Sequence, residues 1–217
     1  MNFPARKQII NLSDKISLCY AYDMKIVLAS SNKHKVQEIN DIINAYNLSF
    51  PVEIVLPPDG FDPEENGTTF EENSLIKAKA AWELSKTWSL ADDSGLCIDF
   101  LNGNPGIYSA RYAETPQKRI ERVLNELGNT ENRNAHFSCA MTLINPKGDV
   151  EYKCLGICSG TIIKETRGTN GFGYDPIFLP EGSIKTMAEL SEDEKNKISH
   201  RSVALRKMID YISKNLK

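Results

Sequence analysis

The chain has 217 residues, 41% hydrophobic and 25% charged, enough to bury one large domain or two small lobes around a shared core. Its formal net charge of -3 excludes a global basic field for nucleic acid, and no acidic block marks a disordered tail. No apolar run is long enough for a bilayer, and Cys19, Cys97, Cys139, Cys154 and Cys158 form no CxxC pair, so they read as structural thiols of a reducing, cytoplasmic compartment.

Residues 1–23 lack the basic, apolar and small-residue succession of a signal peptide and read as an N-terminal extension of unknown role ahead of a domain over 24–217. Residues 25–29 read as a buried strand. Ser30-Ser31-Asn32 then opens a helix with Val36, Ile39, Ile43 and Tyr46 on one apolar face. Residues 52–56 form a second strand, giving a βαβ-like unit with a parallel pair and a right-handed crossover. A loop rich in Pro, Asp, Glu and Gly covers 57–67, and a helix follows from Thr69 to Lys86, carrying Leu75, Ala78, Ala81 and Trp82.

A short apolar run, 88–91, delivers Asp92 and Asp93 to a Ser94-Gly95 turn. After a Gly/Pro loop, Thr115-Pro116 supplies the N-cap and N1 residues of a helix that Gly128 ends, with Ile120, Val123, Leu124 and Leu127 as its stripe. Residues 136–144 and 150–157 read as an antiparallel hairpin, 160–163 as a further strand and 168–176 as a glycine-rich loop. Ser191-Glu192-Asp193-Glu194 is a capping box that launches a C-terminal helical region. The fold class is α/β: a mixed curved sheet flanked by helices, in two lobes with a cleft between them.

Five constellations carry possible chemistry. Two adjacent carboxylates at a turn repel each other unless a cation lies between them, and a hard divalent ion suits that role; the same Asp-Asp-Ser-Gly run is also ordinary turn grammar. Ser30 to Lys35 puts helix N-terminal amides and a lysine after the first strand, where anions bind, and reads equally as a Ser/Asn cap with solvated lysines. Thr69 with Glu72 and Thr68 with Glu71 each make a capping box, while Glu72 also offers a metal ligand and Asn73 and Lys77 share a helix face. In Thr169 to Pro176, glycines, two aromatics and Asp175 suit a purine ring or a structural turn. Lys195 and the His200-Arg201 pair suit phosphate or the carbonyl edge of a base.

Taken in order, 28–35, 69–73, 91–96, 105–112, 171–176 and 199–201 resemble the inosine/xanthosine triphosphate pyrophosphatase family, over the chain from about Met24 to its end. The resemblance implies Mg²⁺-dependent hydrolysis of ITP, dITP and XTP to monophosphate and pyrophosphate in a central nucleotide-binding cleft, by a homodimer. It implies that Ser30, Ser31, Asn32, Lys33, His34 and Lys35 form the triphosphate turn, with Asn73 and Lys77 nearby. Glu72 and Asp93 become the magnesium ligands with Asp92 beside them, Asp93 the general base, and Ser94 a substrate contact. Phe172, Gly173, Tyr174 and Asp175 become the base-binding loop, and Lys195, His200 and Arg201 the groups over the purine. A related enzyme for modified pyrimidine nucleotides and a nucleotide sensor without turnover are the competing classes.

Overall fold

The computed structural model describes residues 24–30, 32–45 and 52–216. Residues 1–23, Ser31, Tyr46 and the side chains of Lys33 and His34 lie outside the described set, so the expectations placed on them are not addressed. In chain order the elements are β1 (Met24–Leu28), α1 (Lys33–Ala45), β2 (Val52–Val55), α2 (Phe70–Ser85), β3 (Trp88–Ile98), α3 (Pro116–Leu127), β4 (Asn134–Ile144), β5 (Val150–Ile162), β6 (Phe178–Pro180), α4 (Glu192–Ile198) and α5 (His200–Asn215).

The strands form a mixed six-stranded sheet in the order β2-β1-β3-β4-β5-β6. β1 runs parallel to β2 and β3, as a βαβ unit requires, while β3, β4, β5 and β6 pair antiparallel. Three apolar clusters organise the helices around it. Leu90, Met141 and Leu143 pack with Ile39 and Ile42 of α1 and Leu205, Met208 and Ile209 of α5. On the other face, Val27, Ala29 and Ala91 meet Ala78 and Ala81 of α2, whose small side chains let helix and sheet approach closely. Farther along β3 and β4, Leu96, Ile98 and Phe137 join Ile120 and Val123 of α3 and Phe178. The long strands thus carry separate cores at their two ends, the physical content of the two expected lobes.

Three elements differ from what the sequence pattern predicts. Asp92-Asp93-Ser94-Gly95 is not a turn: it lies mid-strand in β3, each residue paired with one of Met141 to Ser138 on β4. Residues 160–162 continue β5 rather than starting another strand, and the actual additional strand is β6, which pairs with them. The C-terminal region is two helices, with Ser199 ending α4 and capping α5 through its side chain. The Thr69 and Thr115 N-caps and the Ser191 capping box stand where expected.

Candidate active site

β1 pairs with β3 only from Ile26↔Trp88 to Leu28↔Leu90, and the chain then leaves the sheet to enter α1. β3 runs on well beyond Leu90, so its edge from Ala91 onward is open where β1 ends and α1 begins. That is the place where an open α/β sheet offers a ligand helix amides and strand side chains together. Farther along, Ser109 Oγ accepts from Leu96 N (2.9 Å) and donates to the Gly106 carbonyl (2.6 Å), tying the next loop against this edge. Gly95 makes that approach possible, since a Cβ there would lie 2.3 Å from Gly106 O. A cleft of about 410 Å³ follows the edge.

Because side chains alternate along a strand, the two adjacent carboxylates point to opposite sheet faces. Asp92 faces α1 and α5, where Lys35 Nζ lies 3.0 Å and Arg201 Nε 3.4 Å from Oδ2. Asp93 faces α2, where Lys77 Nζ lies 2.8 Å from Oδ1 and Asn73 Nδ2 3.4 Å from Oδ2. The expectation that one divalent ion relieves repulsion between them is therefore corrected: each has its own cations. Burial pushes the Asp92 pKa up, but Lys35, Arg201 and Lys77 outweigh it and hold the group well below the usual carboxylate range. For Asp93 burial wins over Lys77, and its pKa is raised, the direction that makes a better base at neutral pH. Burial also works against the Lys77 ammonium, yet Asp93 and Asp92 raise its pKa.

Lys77 brings in a residue the sequence reading missed. Glu65 Oε1 lies 2.7 Å from Nζ, so Glu65 and Asp93 converge on one ammonium and Glu65 lines the cleft. Glu72 does not. Its carboxylate accepts from Thr68 N (2.6 Å) and Thr68 Oγ1 (2.8 Å) at the exposed start of α2, and these bonds hold its pKa low. Its carboxylate is held mainly by Thr68 while its backbone N–H donates to the Thr69 Oγ1 cap, and Glu72 is no part of the cleft lining. Among the described residues no three His, Cys, Asp or Glu side chains gather as a ready-made metal cage. Two carboxylates closing on one stand-in cation nevertheless form the hard-oxygen donor set that Mg²⁺ takes when phosphates and waters complete its shell. Glu65 and Asp93 fit that ion, whereas Asp92 is engaged by Lys35 and Arg201 and Glu72 by Thr68.

At the α1 entry, Asn32 Oδ1 accepts from Lys35 N (3.4 Å) and Ser30 Oγ accepts from Asn32 N (3.3 Å). Ser30, Asn32 and Lys35 all line the cleft.

The other end is built from the glycine-rich loop and α5. Asp175 Oδ2 accepts from Phe172 N (2.9 Å) and from Lys195 Nζ (2.8 Å), folding the loop back on itself. Gly171 sits at φ +73, and a Cβ there would lie 2.2 Å from Asp175 Oδ2, so glycine is required twice over. Lys195 Nζ rests 4.8 Å from the centre of the Phe172 ring. Tyr174 is part of the wall: it is buried, and its hydroxyl donates to the Ser109 carbonyl (3.0 Å). Gly173 also lines the cleft.

His200 and Arg201 are buried more deeply than their sequence suggests. The His200 ring stacks on Phe137 at 4.8 Å, and its Nδ1 has no hydrogen-bond partner among the described residues. Burial, then Arg201 and Lys195, hold its pKa well below 6.5, so the imidazole is neutral. Arg201 is 1% exposed, and Glu38, Asp92 and Ser94 Oγ (3.1 Å) already engage its guanidinium. Glu38 was missed too, although it shares the inward stripe of α1 with Ile39 and Ile42. A carboxylate on an apolar stripe signals a buried cation. Ser94 is thus tied to Asp92 and Arg201 while lining the cleft.

Comparison with known proteins gives one answer. Residues 26–211 match the profile of the Ham1 family. The chain is 46% identical over 191 residues to a protein of Treponema denticola named dITP/XTP pyrophosphatase, covering 84% of this chain and 95% of that one. It is 44% identical over 179 residues to a protein of that name from Synechococcus sp. (strain CC9311), covering 82% and 85%. Among solved structures, the Staphylococcus aureus Ham1 protein superposes with a TM-score of 0.77 at 40% identity, covering 87% of this chain and 97% of its own. A HAM1 protein from Coxiella burnetii gives 0.78 at 39%, covering 87% and 98%.

Proposed function

The chain belongs to the Ham1 family, and from that membership we propose that it hydrolyses deaminated purine nucleoside triphosphates (ITP, dITP and XTP) to monophosphate and pyrophosphate. One observation carries the reading: a single cleft joins a carboxylate pair flanked by lysines to an aromatic loop with fixed polar groups. Triphosphate and purine are the two halves of such a ligand.

The triphosphate carries about four negative charges, which must be offset before a nucleophile approaches. Lys35 and Lys77 supply fixed positive charge, and Ser30 and Asn32 supply polar contacts at the start of α1, beside Ser31, Lys33 and His34. Asp93 and Glu65 are the carboxylates that would hold Mg²⁺. When bound, that ion neutralises phosphate charge and acidifies a water. Asp93 takes the proton of the attacking water, and Asn73 keeps its second oxygen oriented. Attack at the α-phosphorus expels pyrophosphate, whose charge Lys35 and Lys77 receive.

Phe172 offers its ring to the purine, with Gly173 and Tyr174 shaping the wall. Lys195, oriented by Asp175, and the neutral His200 present donors to the 6-oxo group that ATP lacks. Buried donors facing an amino group are left unpaired, a mismatch that rejects the wrong base by factors on the order of 10⁴. Arg201, its charge balanced by Glu38 and Asp92, holds Ser94 in place. The same reading makes the protein a cytoplasmic homodimer whose pyrophosphatase domain spans 24–217 and which uses neither nucleic acid nor membrane.

Incubation with Mg²⁺ and either ITP or ATP, with pyrophosphate and orthophosphate measured separately, tests it. The expected result is pyrophosphate from ITP and little from ATP. Orthophosphate as first product, or equal turnover of ATP, overturns the assignment.

A further inference from the structure

Lys77 occupies the ground a metal needs. Its ammonium lies 2.7 Å from Glu65 and 2.8 Å from Asp93, and the residue is 8% exposed on the inward face of α2. A divalent ion held by those two carboxylates must displace that ammonium. Arriving alone, the ion strands a buried positive charge without a partner, which is costly. Arriving with a triphosphate, it gives the ammonium new anionic oxygens, which Lys can reach because its charge rides on a flexible four-carbon stem. Glu65 comes from the loop before α2 and its side chain is 27% exposed, so one wall of the site can adjust while Asp93 stays fixed in the sheet.

We propose that Lys77 closes the metal site of the free protein and opens it only to a metal that arrives with a triphosphate, coupling the two binding events. The inference rests on the pyrophosphatase reading and adds an order to it: free Mg²⁺ binds weakly, and metal and nucleotide each tighten the other by the same factor. The coupling also keeps a charged metal site from assembling around water alone.

The test uses Mn²⁺ as the probe, its binding followed by electron paramagnetic resonance, with and without an α,β-methylene analogue of ITP. The wild-type protein is expected to bind Mn²⁺ at least about tenfold more tightly with the analogue present. Lys77→Met is expected to bind Mn²⁺ about tenfold more tightly than wild type without nucleotide, and to lose most of the enhancement the analogue gives. Equal free-state affinity in the two proteins overturns the proposal. Thermal melts of the wild-type protein test the closure without any variant. Mn²⁺ alone should leave Tm unchanged and raise it once the analogue is added; a rise from Mn²⁺ alone contradicts the proposal. Glu65→Gln separates the two readings. If it weakens Mn²⁺ binding in the ternary complex while Lys77→Met changes nothing, only the coupling falls. If the wild-type protein fails to bind Mn²⁺ even with the analogue, the metal-dependent pyrophosphatase reading falls with it.

Discussion

Asp92 and Asp93 are neighbours in sequence and belong to different regions of the molecule. On the α1/α5 face, Asp92 is 1% exposed and surrounded by cations that keep it ionised. On the α2 face, Asp93 meets one lysine and one amide at the edge of the cleft, and burial raises its pKa. The first carboxylate joins α1, α5 and β3 together; the second is left with chemistry to do. One residue of strand register makes that division, because the pleat sends successive side chains to opposite faces.

The largest expected effect falls on the α2 face. Asp93→Asn should lower kcat for ITP by about 10²–10⁴-fold or more, since it removes the proposed general base and metal donor, while Glu65 and the new amide oxygen still accept from Lys77 and keep the loss of Tm small. Steady-state kinetics beside a thermal melt checks both halves. On the opposite face the signature inverts. Asp92→Ala leaves the Arg201 guanidinium buried with Glu38 alone and should cost about 3–5 kcal/mol in urea unfolding.

Gly156→Ala sharpens the contrast at α5. A Cβ there would lie 2.1 Å from the His200 carbonyl and 2.4 Å from Ala204 N, so α5 must lift from β5 and carry His200 with it. The expected cost is about 1–3 kcal/mol, with KM for ITP raised more than kcat is lowered.

The His200 pKa gives a pH test with a definite sign. Its folded value lies well below 6.5, so below pH 6.5 the unfolded chain binds a proton that the folded protein does not. Stability should therefore fall on acidification from about pH 6.5, by up to about 1.4 kcal/mol per pH unit, and His200→Gln should flatten that slope. The smallest effect belongs to Glu72→Gln. It loosens the Thr68 turn and lowers Tm slightly with kcat unchanged; a large loss of kcat would return Glu72 to the metal.

Much of the fold was legible because local chemistry marked it. Thr69, Thr115 and Ser191 cap helices where sequence grammar puts them, and the parallel β1–β2 pair follows from one helix between two apolar runs. β3 was misread because Asp-Asp-Ser-Gly is turn chemistry, and a strand buried on both faces shows no polar alternation to reveal its register. That error hid the separation of Asp92 from Asp93. β6 is three residues long and depends on pairing with the far end of β5, which periodicity cannot register.

Of the residues the sequence singles out, Lys35, Lys77, Asp93, the 172–175 loop, Lys195, His200 and Arg201 line the cleft, and Asn73 contacts Asp93. Glu65 is not singled out, because it sits in an acidic loop where one carboxylate looks like the next until tertiary structure sets it against Lys77. Glu72 is ambiguous for the opposite reason: at helix N3 a glutamate serves local helix-start contacts as readily as metal binding, and here its carboxylate is taken up by Thr68.

The claim that only the α2 face carries the metal is tested most directly by anomalous diffraction from crystals grown with Mn²⁺ and the α,β-methylene ITP analogue. The account predicts a Mn²⁺ peak bound by Asp93 and Glu65, with Asp92 still on Lys35 and Arg201. A peak bridging Asp92 and Asp93, or one bound by Glu72, would contradict it.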